Sequence, residues 1–271
     1  MATDKAAPEI VIIGAMKCGT STLHRYIAHH PLVVEGHTKE LDFFSTEANF
    51  ARGQDWYNGV FAGWQPGQLR IDSSPNYTKR QTWPTPSERL LAANPDAKLI
   101  FLMREPISRL RSHYLHSLAA GREHRPIDTV LADHDNHMVQ TTRYWWQLEP
   151  FFDRFDRSQI MLLRFDDLVK ESKTTVTRAL SFLGLDDIDA LPEVNQNPTD
   201  IKKYPTTLAR VLPSKRARGF LRRIHPSLAD RPLPNPQVSE SVAKSVREYL
   251  RDDLEQLNAS GMIDVSDWLE L

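Results

Sequence analysis

One lysine, two glycines and three consecutive hydroxyl residues stand between Gly14 and Thr22 in a spacing suited to holding an anion. Ile10 to Ile13 is a short apolar run of the kind that forms a buried parallel strand. Gly14 ends it, Gly19 follows five residues later, and Thr20, Ser21 and Thr22 open a helix. The first N–H groups of a helix lack partners within it, and the helix dipole favours negative charge at that end. Gly19 allows the backbone to approach a phosphate closely. Backbone donors from Cys18 to Thr22, the three hydroxyls and the positive charge of Lys17 complete an anion site.

A second cation sits after another apolar run, Leu99 to Met103. Arg104 falls at the C-terminal end of that predicted strand, the edge where open α/β sheets bind ligands. Pro106 takes an early helix position and Ser108 lies in the first turn. A guanidinium fork suits a phosphate dianion, and the Ser108 hydroxyl adds a donor. The spacing of Gly14 and Gly19 matches the nucleotide-hydrolase loop G-x-x-x-x-G-K-[ST]. Thr20, however, occupies the lysine position, and Lys17 sits inside the loop. The lysine still reaches a terminal group, but the Lys-Ser/Thr pair used for the β/γ-phosphates and Mg²⁺ is lost.

These two segments resemble the sulfotransferases that use 3′-phosphoadenosine 5′-phosphosulfate (PAPS), above all the heparan-sulfate and bacterial carbohydrate or lipid types. Their loop reads I-x-G-x-x-K-C-G-T-[ST]-x-L, and their 3′-phosphate motif is matched by Arg104, Pro106, Ser108 and Arg109. The resemblance implies transfer of a sulfuryl group to an acceptor hydroxyl with release of 3′,5′-ADP. It places Lys17 at the 5′-phosphosulfate, Cys18 to Thr22 at the 5′-phosphate, and Arg104 with Ser108 at the 3′-phosphate. Lys39 to Phe44 looks like the family segment K-E-x-x-F-F, which makes Glu40 the base for the acceptor proton. Asp42 stands where members often carry histidine. Ser73, in Asp72-Ser73-Ser74-Pro75-Asn76-Tyr77, replaces the lysine of E-K-T-P-x-Y. Asp42, Ser73, Arg143 and Tyr144 are therefore the expected acceptor-side residues, with His37 and Asp72 as reserve bases. Family members place a basic segment near the 3′-phosphate. Arg216 and Arg218 lie in such a segment here, although its usual K-G-R is absent. No metal is required, because Lys17 and the helix N-terminus supply the positive charge.

These residues need strands to carry them and helices to cover the strands. The order of apolar runs and helical patterns indicates an α/β domain with a central parallel sheet of about five strands flanked by helices. The resemblance adds a relation to P-loop nucleotide kinases. A single domain over residues 1–271 is expected, with residues 1–8 flexible and a helical C-terminal segment, 205–271, packed on it. Helices are expected over Thr20–His30, Thr85–Asn94, Ser108–Ala119, Arg143–Phe155 and Ser239–Leu257. The last carries Val242, Val246, Leu250 and Leu254 at four-residue intervals. The aromatic stretch Trp56 to Trp64 reads as a packed insert or a flap.

A net charge of −1 gives no global attraction to nucleic acid. No run is long enough for a membrane span, and one cysteine, Cys18, fits a reducing cytoplasm. The acceptor is expected to be a carbohydrate, lipid or small alcohol, and no oligomeric state is legible. His134 and His137 read as helix surface rather than metal ligands. Two other classes stay open. A small-molecule kinase would use the same fold but needs a Mg²⁺ carboxylate. A non-catalytic nucleotide-binding module would follow if Asp42 and Ser73 marked lost activity.

Overall fold

Five short apolar segments line up side by side in the computed structural model, which describes residues 8–193, 203–205, 214–225, 230–232 and 235–270. They are β1 (Ile10–Gly14), β2 (Val33–Glu35), β3 (Leu69–Ser73), β4 (Lys98–Met103) and β5 (Ile160–Arg164). All pairings are parallel, in the order β2-β3-β1-β4-β5. Parallel strands require crossovers, which here contain helices α1 (Thr20–Ala28), α2 (Glu47–Phe50), α3 (Gly53–Gly59), α4 (Pro86–Ala93) and α5 (Pro106–Ala119). β1 and β4 are covered on both faces: Ile10 to Ile13 and Leu99 to Met103 are no more than 1 % exposed. Each such aliphatic side chain contributes on the order of 1.5–3 kcal/mol by burial, so these two strands anchor the sheet.

Strand order determines where ligands go. The chain leaves β1 toward β2 on one side and leaves β4 toward β5 on the other. That divergence opens a crevice outside the carboxyl ends of the central strands. The β1–β4 register shifts between Ile12 and Gly14, so the last residue of β1 already departs from the ladder. A β-carbon at Gly14 would collide with Thr78 Oγ1 and lie 2.7 Å from the Phe101 ring. Only glycine lets the chain turn here.

By its contacts the chain gathers into two compact units. The first comprises residues 1–105, 143–194 and 250–271 and contains the whole parallel sheet. The second comprises 106–142 and 195–249. Within it, Arg109 is completely buried and donates to Met138 O, Thr142 Oγ1 and Thr141 Oγ1. This motif arginine thus organises the interior of its own unit. Lys203–Pro205 and Asp230–Pro232 form a small antiparallel pair that periodicity did not foreshadow. Helices Lys215–Ile224, Glu240–Ala259 and Ser266–Leu269 lie in the described part of the C-terminal segment. The buried stripe of Glu240–Ala259 runs Ala243, Val246, Leu250, Leu254 and Leu257, not through Val242. A strict four-residue repeat drifts around a helix of 3.6 residues per turn, whereas mixed three- and four-residue steps keep to one face. Residues 1–7, expected to be flexible, lie outside the described residues.

Candidate active site

The anion loop is built as its residue types require. α1 is nine residues long and opens at Gly19, whose φ of 88° is left-handed. The amides of Thr22 and Leu23 turn back onto Gly19 O at 3.0 and 3.1 Å. Lys17, half-buried, also takes a left-handed φ of 73°, uncommon for a residue with a side chain. Such conformations persist only where the surroundings over-determine them. Here Ala15 N bonds Leu102 O at 2.8 Å and Cys18 N bonds Ala15 O at 3.2 Å. Cys18 is fully buried, Thr20 is buried, Thr22 is half-buried, and Ser21 is exposed at the mouth. The loop is thus a rigid turn that directs a helix N-terminus and its hydroxyls at one place.

Arg104 joins this loop through Phe165. A β-carbon on Gly19 would lie 2.7 Å from the Phe165 ring, and the Arg104 guanidinium stands over the same ring, 4.6 Å from its centre. The ring therefore packs against the glycine that starts α1 and supports the cation that β4 delivers. Tyr144 sets the backbone of Arg104. Its hydroxyl donates to Arg104 O at 2.7 Å, accepts from Arg104 N at 3.3 Å, and lies 3.9 Å from Cys18 Sγ. Tyr144 is wholly buried. It holds the end of β4 against the loop and presents no surface to an acceptor. Arg143, half-buried, lies over the Trp146 ring at 5.0 Å.

The segment expected on the acceptor side hangs on a different device. Glu40 is exposed and paired with Lys39 at 3.1 Å. Asp42, two residues on, has a left-handed φ of 50°. Its Oδ2 accepts from Asn76 Nδ2 at 2.9 Å, while its Oδ1 is buried without a hydrogen-bond partner among the described residues. Burial raises its pKa, against the lowering effect of the Asn76 bond. Beneath it lies Asp72, fully buried at the end of β3. Tyr57 and Tyr77 donate to its Oδ2 at 3.1 and 2.6 Å, and Ser74 donates to its Oδ1 at 2.7 Å. Burial pushes the Asp72 carboxyl up to about 6 in spite of these three donors. The two tyrosine hydroxyls are raised well above 10, first by burial and then by the neighbouring carboxylate. Ser73, also completely buried, has a hydroxyl without a partner among the described residues.

The two halves meet through the turn Pro75–Thr78. Thr78 Oγ1 donates to Ile13 O at 3.0 Å, just before Gly14, while Asn76 holds Asp42. Lys17, Cys18, Gly19, Thr20, Ser21, Thr22, Arg104, Asp42 and Ser73 thus belong to one edge of one sheet. Ser108, Arg216 and Arg218 belong to the second unit. Ser108 is half-buried on α5, and Arg216 is exposed on Lys215–Ile224. The side chain of Arg218 lies outside the described part. Reading the sequence missed Phe165, Thr78, Ser74, Asn76 and Tyr57 as site residues. Their signal was weak, because each acts through a partner 30 or more residues away, except Tyr57 and Ser74, whose partner Asp72 is nearer.

Among the described residues no group of His, Cys, Asp and Glu is arranged to hold a metal ion, and no helix is long and apolar enough to cross a membrane. A parallel sheet with a glycine loop, a helix N-terminus and two cations at its carboxyl edge makes a site for an anionic ligand. Comparison with known proteins makes the class specific. The sulfotransferase-domain family profile matches residues 7–200. The chain therefore belongs to the sulfotransferase family, with PAPS as the sulfuryl donor. It is 28% identical over 254 residues to human heparan sulfate glucosamine 3-O-sulfotransferase 5, covering 89% of this chain and 68% of that protein. It is 25% identical to mouse heparan sulfate glucosamine 3-O-sulfotransferase 3B1, with 92% and 62% coverage. Among solved structures, a sulfotransferase from Alicyclobacillus acidocaldarius shares the fold with a TM-score of 0.72, at 22% identity and 96% and 98% coverage. The sulfotransferase domain of the curacin biosynthetic pathway also shares it, with a TM-score of 0.53 at 15% identity and 93% and 98% coverage.

Proposed function

We propose that the chain transfers the sulfuryl group of PAPS to a hydroxyl of a carbohydrate-type acceptor. The acceptor oxygen attacks sulfur, the bond from sulfur to the bridging oxygen breaks, and 3′,5′-ADP leaves. Glu40 takes the acceptor proton, since an alcohol is a weak nucleophile until a positioned base removes it. Lys17 balances the charge that grows on the departing phosphate, a preorganised electrostatic role. The N-terminus of α1, from Cys18 to Thr22, holds the 5′-phosphate, and Arg104 holds the 3′-phosphate. The observation that carries this reading is the shared packing of Gly19 and Arg104 on Phe165, which joins the anion loop to a second cation. For Ser108, Arg216 and Arg218 the expected 3′-phosphate contact is carried by the sequence resemblance alone. The carbohydrate class rests on the relatives, whose names give heparan sulfate glucosamine as their acceptor. Asp42 and Arg143 are assigned to the acceptor side, and Ser73, as completely buried as Tyr144, is not. A cytoplasmic location fits the single buried cysteine.

Calorimetry with 3′,5′-ADP and 5′-AMP tests the donor assignment. Wild type is expected to prefer 3′,5′-ADP, and Arg104→Ala is expected to lose that preference by about ten- to a hundredfold, the worth of a charge-assisted hydrogen bond. Equal affinity for the two nucleotides in wild type would remove the 3′-phosphate site and the reading with it.

A further inference from the structure

A buried carboxylate, Asp72, lies behind the segment that carries Glu40. Asp72 is completely buried, and each hydroxyl bonded to it belongs to a residue with a further contact. Ser74 Oγ, 2.7 Å from Asp72, accepts the backbone N–H of Asp42 at 3.0 Å. Tyr77 Oη, 2.6 Å from Asp72, accepts the backbone N–H of Phe44 at a longer 3.5 Å. Tyr57 donates to Asp72 and stacks its ring on Phe43 at 4.4 Å, but it accepts no amide of the segment. An ionised carboxylate only accepts hydrogen bonds. It therefore orients the Ser74 and Tyr77 hydroxyls toward itself and leaves their lone pairs facing outward for the amides. The left-handed backbone at Asp42 needs such restraint, since an L-residue holds that conformation only under external contacts. Asp42 O supplies more of it, accepting from Ser45 N at 3.3 Å and Thr46 N at 3.1 Å.

We propose that Asp72 is a positioning residue for the acceptor half of the site: through Ser74, and more weakly through Tyr77, it fixes the amides of Asp42 and Phe44 and so the register of the segment that carries Glu40. The inference rests on the sulfuryl-transfer reading for its catalytic consequence, but its geometry stands apart from that reading. The two branches and the unbranched donor make it testable. Ser74→Ala cuts the strong branch, Tyr77→Phe cuts the long one, and Tyr57→Phe removes a donor to Asp72 without cutting either. A merely structural role would scale with lost stability in all three variants. A positioning role follows the branches instead.

The experiment is hydrogen exchange of residues 38–46 in the three variants and wild type, with thermal melts in parallel. Turnover is read as 3′,5′-ADP release from PAPS with heparan sulfate as the acceptor probe. Ser74→Ala is expected to speed exchange at the Asp42 amide by about five- to tenfold, the worth of one hydrogen bond, and to lower kcat while leaving 3′,5′-ADP affinity unchanged. Tyr77→Phe shows a smaller change at Phe44, and Tyr57→Phe none. Wild-type exchange in Ser74→Ala, or changes that track the melting temperature in all three variants, would overturn the proposal. Failure to bind 3′,5′-ADP would sink the transfer reading and leave the exchange result to judge the positioning.

Discussion

The proposed donor and acceptor halves of this site are built on opposite plans. The donor half is local: Gly14, Lys17, Gly19 and the first turn of α1 lie within nine residues, and their backbone contacts stay mostly within the loop. Arg104, with Phe165 and Tyr144 behind it, comes from afar, and Thr78 and Leu102 brace the loop. The acceptor half is assembled at a distance. Glu40 and Asp42 sit on a segment without regular structure, tied by side chains some thirty residues later to a buried carboxylate. The difference matches the chemistry. The donor is one fixed molecule whose phosphates suit a rigid helix N-terminus. The acceptor differs among sulfotransferases, and a loop hung on a stiff edge varies without disturbing the sheet.

That contrast is open to direct attack. Lys17→Ala strikes the donor half hardest. It is expected to lower turnover by on the order of 10² to 10³ or more, with unchanged circular dichroism and melting temperature, as when a preorganised charge-stabilising donor is lost. Unchanged 3′,5′-ADP release from PAPS would end the mechanism. Glu40→Gln strikes the acceptor half alone. Turnover is expected to fall by about 10² to 10⁴, while calorimetric affinity for 3′,5′-ADP stays at the wild-type value. A fully active variant would move the base to Asp42 or His37.

The smallest effect concerns stability. Asp72 has a folded-state value of about 6 against an ordinary 3.8, so the folded chain binds its proton more tightly than the unfolded chain does. The resulting stabilisation is full below pH 3.8 and is lost as pH rises through 6. Denaturant unfolding of wild type and Asp72→Asn between pH 4 and 7 should show wild type losing ground. At about 1.4 kcal/mol per unit the loss is on the order of 3 kcal/mol. A pH-independent difference would mean that the three hydroxyl donors fully offset the cost of burial.

Much of the donor half was legible because its physics is local. A strand-ending glycine, a second glycine five residues on and a helix opening on three hydroxyls follow one another along the chain, and the sequence order displays them. The parallel sheet was legible for a related reason: runs such as Leu99 to Met103 carry no polar face and must be covered on both sides. Strand β2 and the pair Lys203–Pro205 with Asp230–Pro232 are too short to show a period. The division into two units could not be read either, since it depends on which distant segments meet. Arg109 looked like part of a phosphate motif, and burial makes it the internal donor of its own unit.

From the sequence alone came the identity of the donor chemistry: an anion loop with Lys17 displaced into it, and an arginine at a strand end. Only the tertiary structure decided how these are held. It set Phe165 between Gly19 and Arg104, turned Tyr144 from a lining residue into a tie for β4, and made Asp72 a buried hub. The reason is physical. Backbone conformation follows largely from adjacent residues, whereas a buried carboxylate acquires its role from whichever hydroxyls the folded chain brings within hydrogen-bonding distance of it.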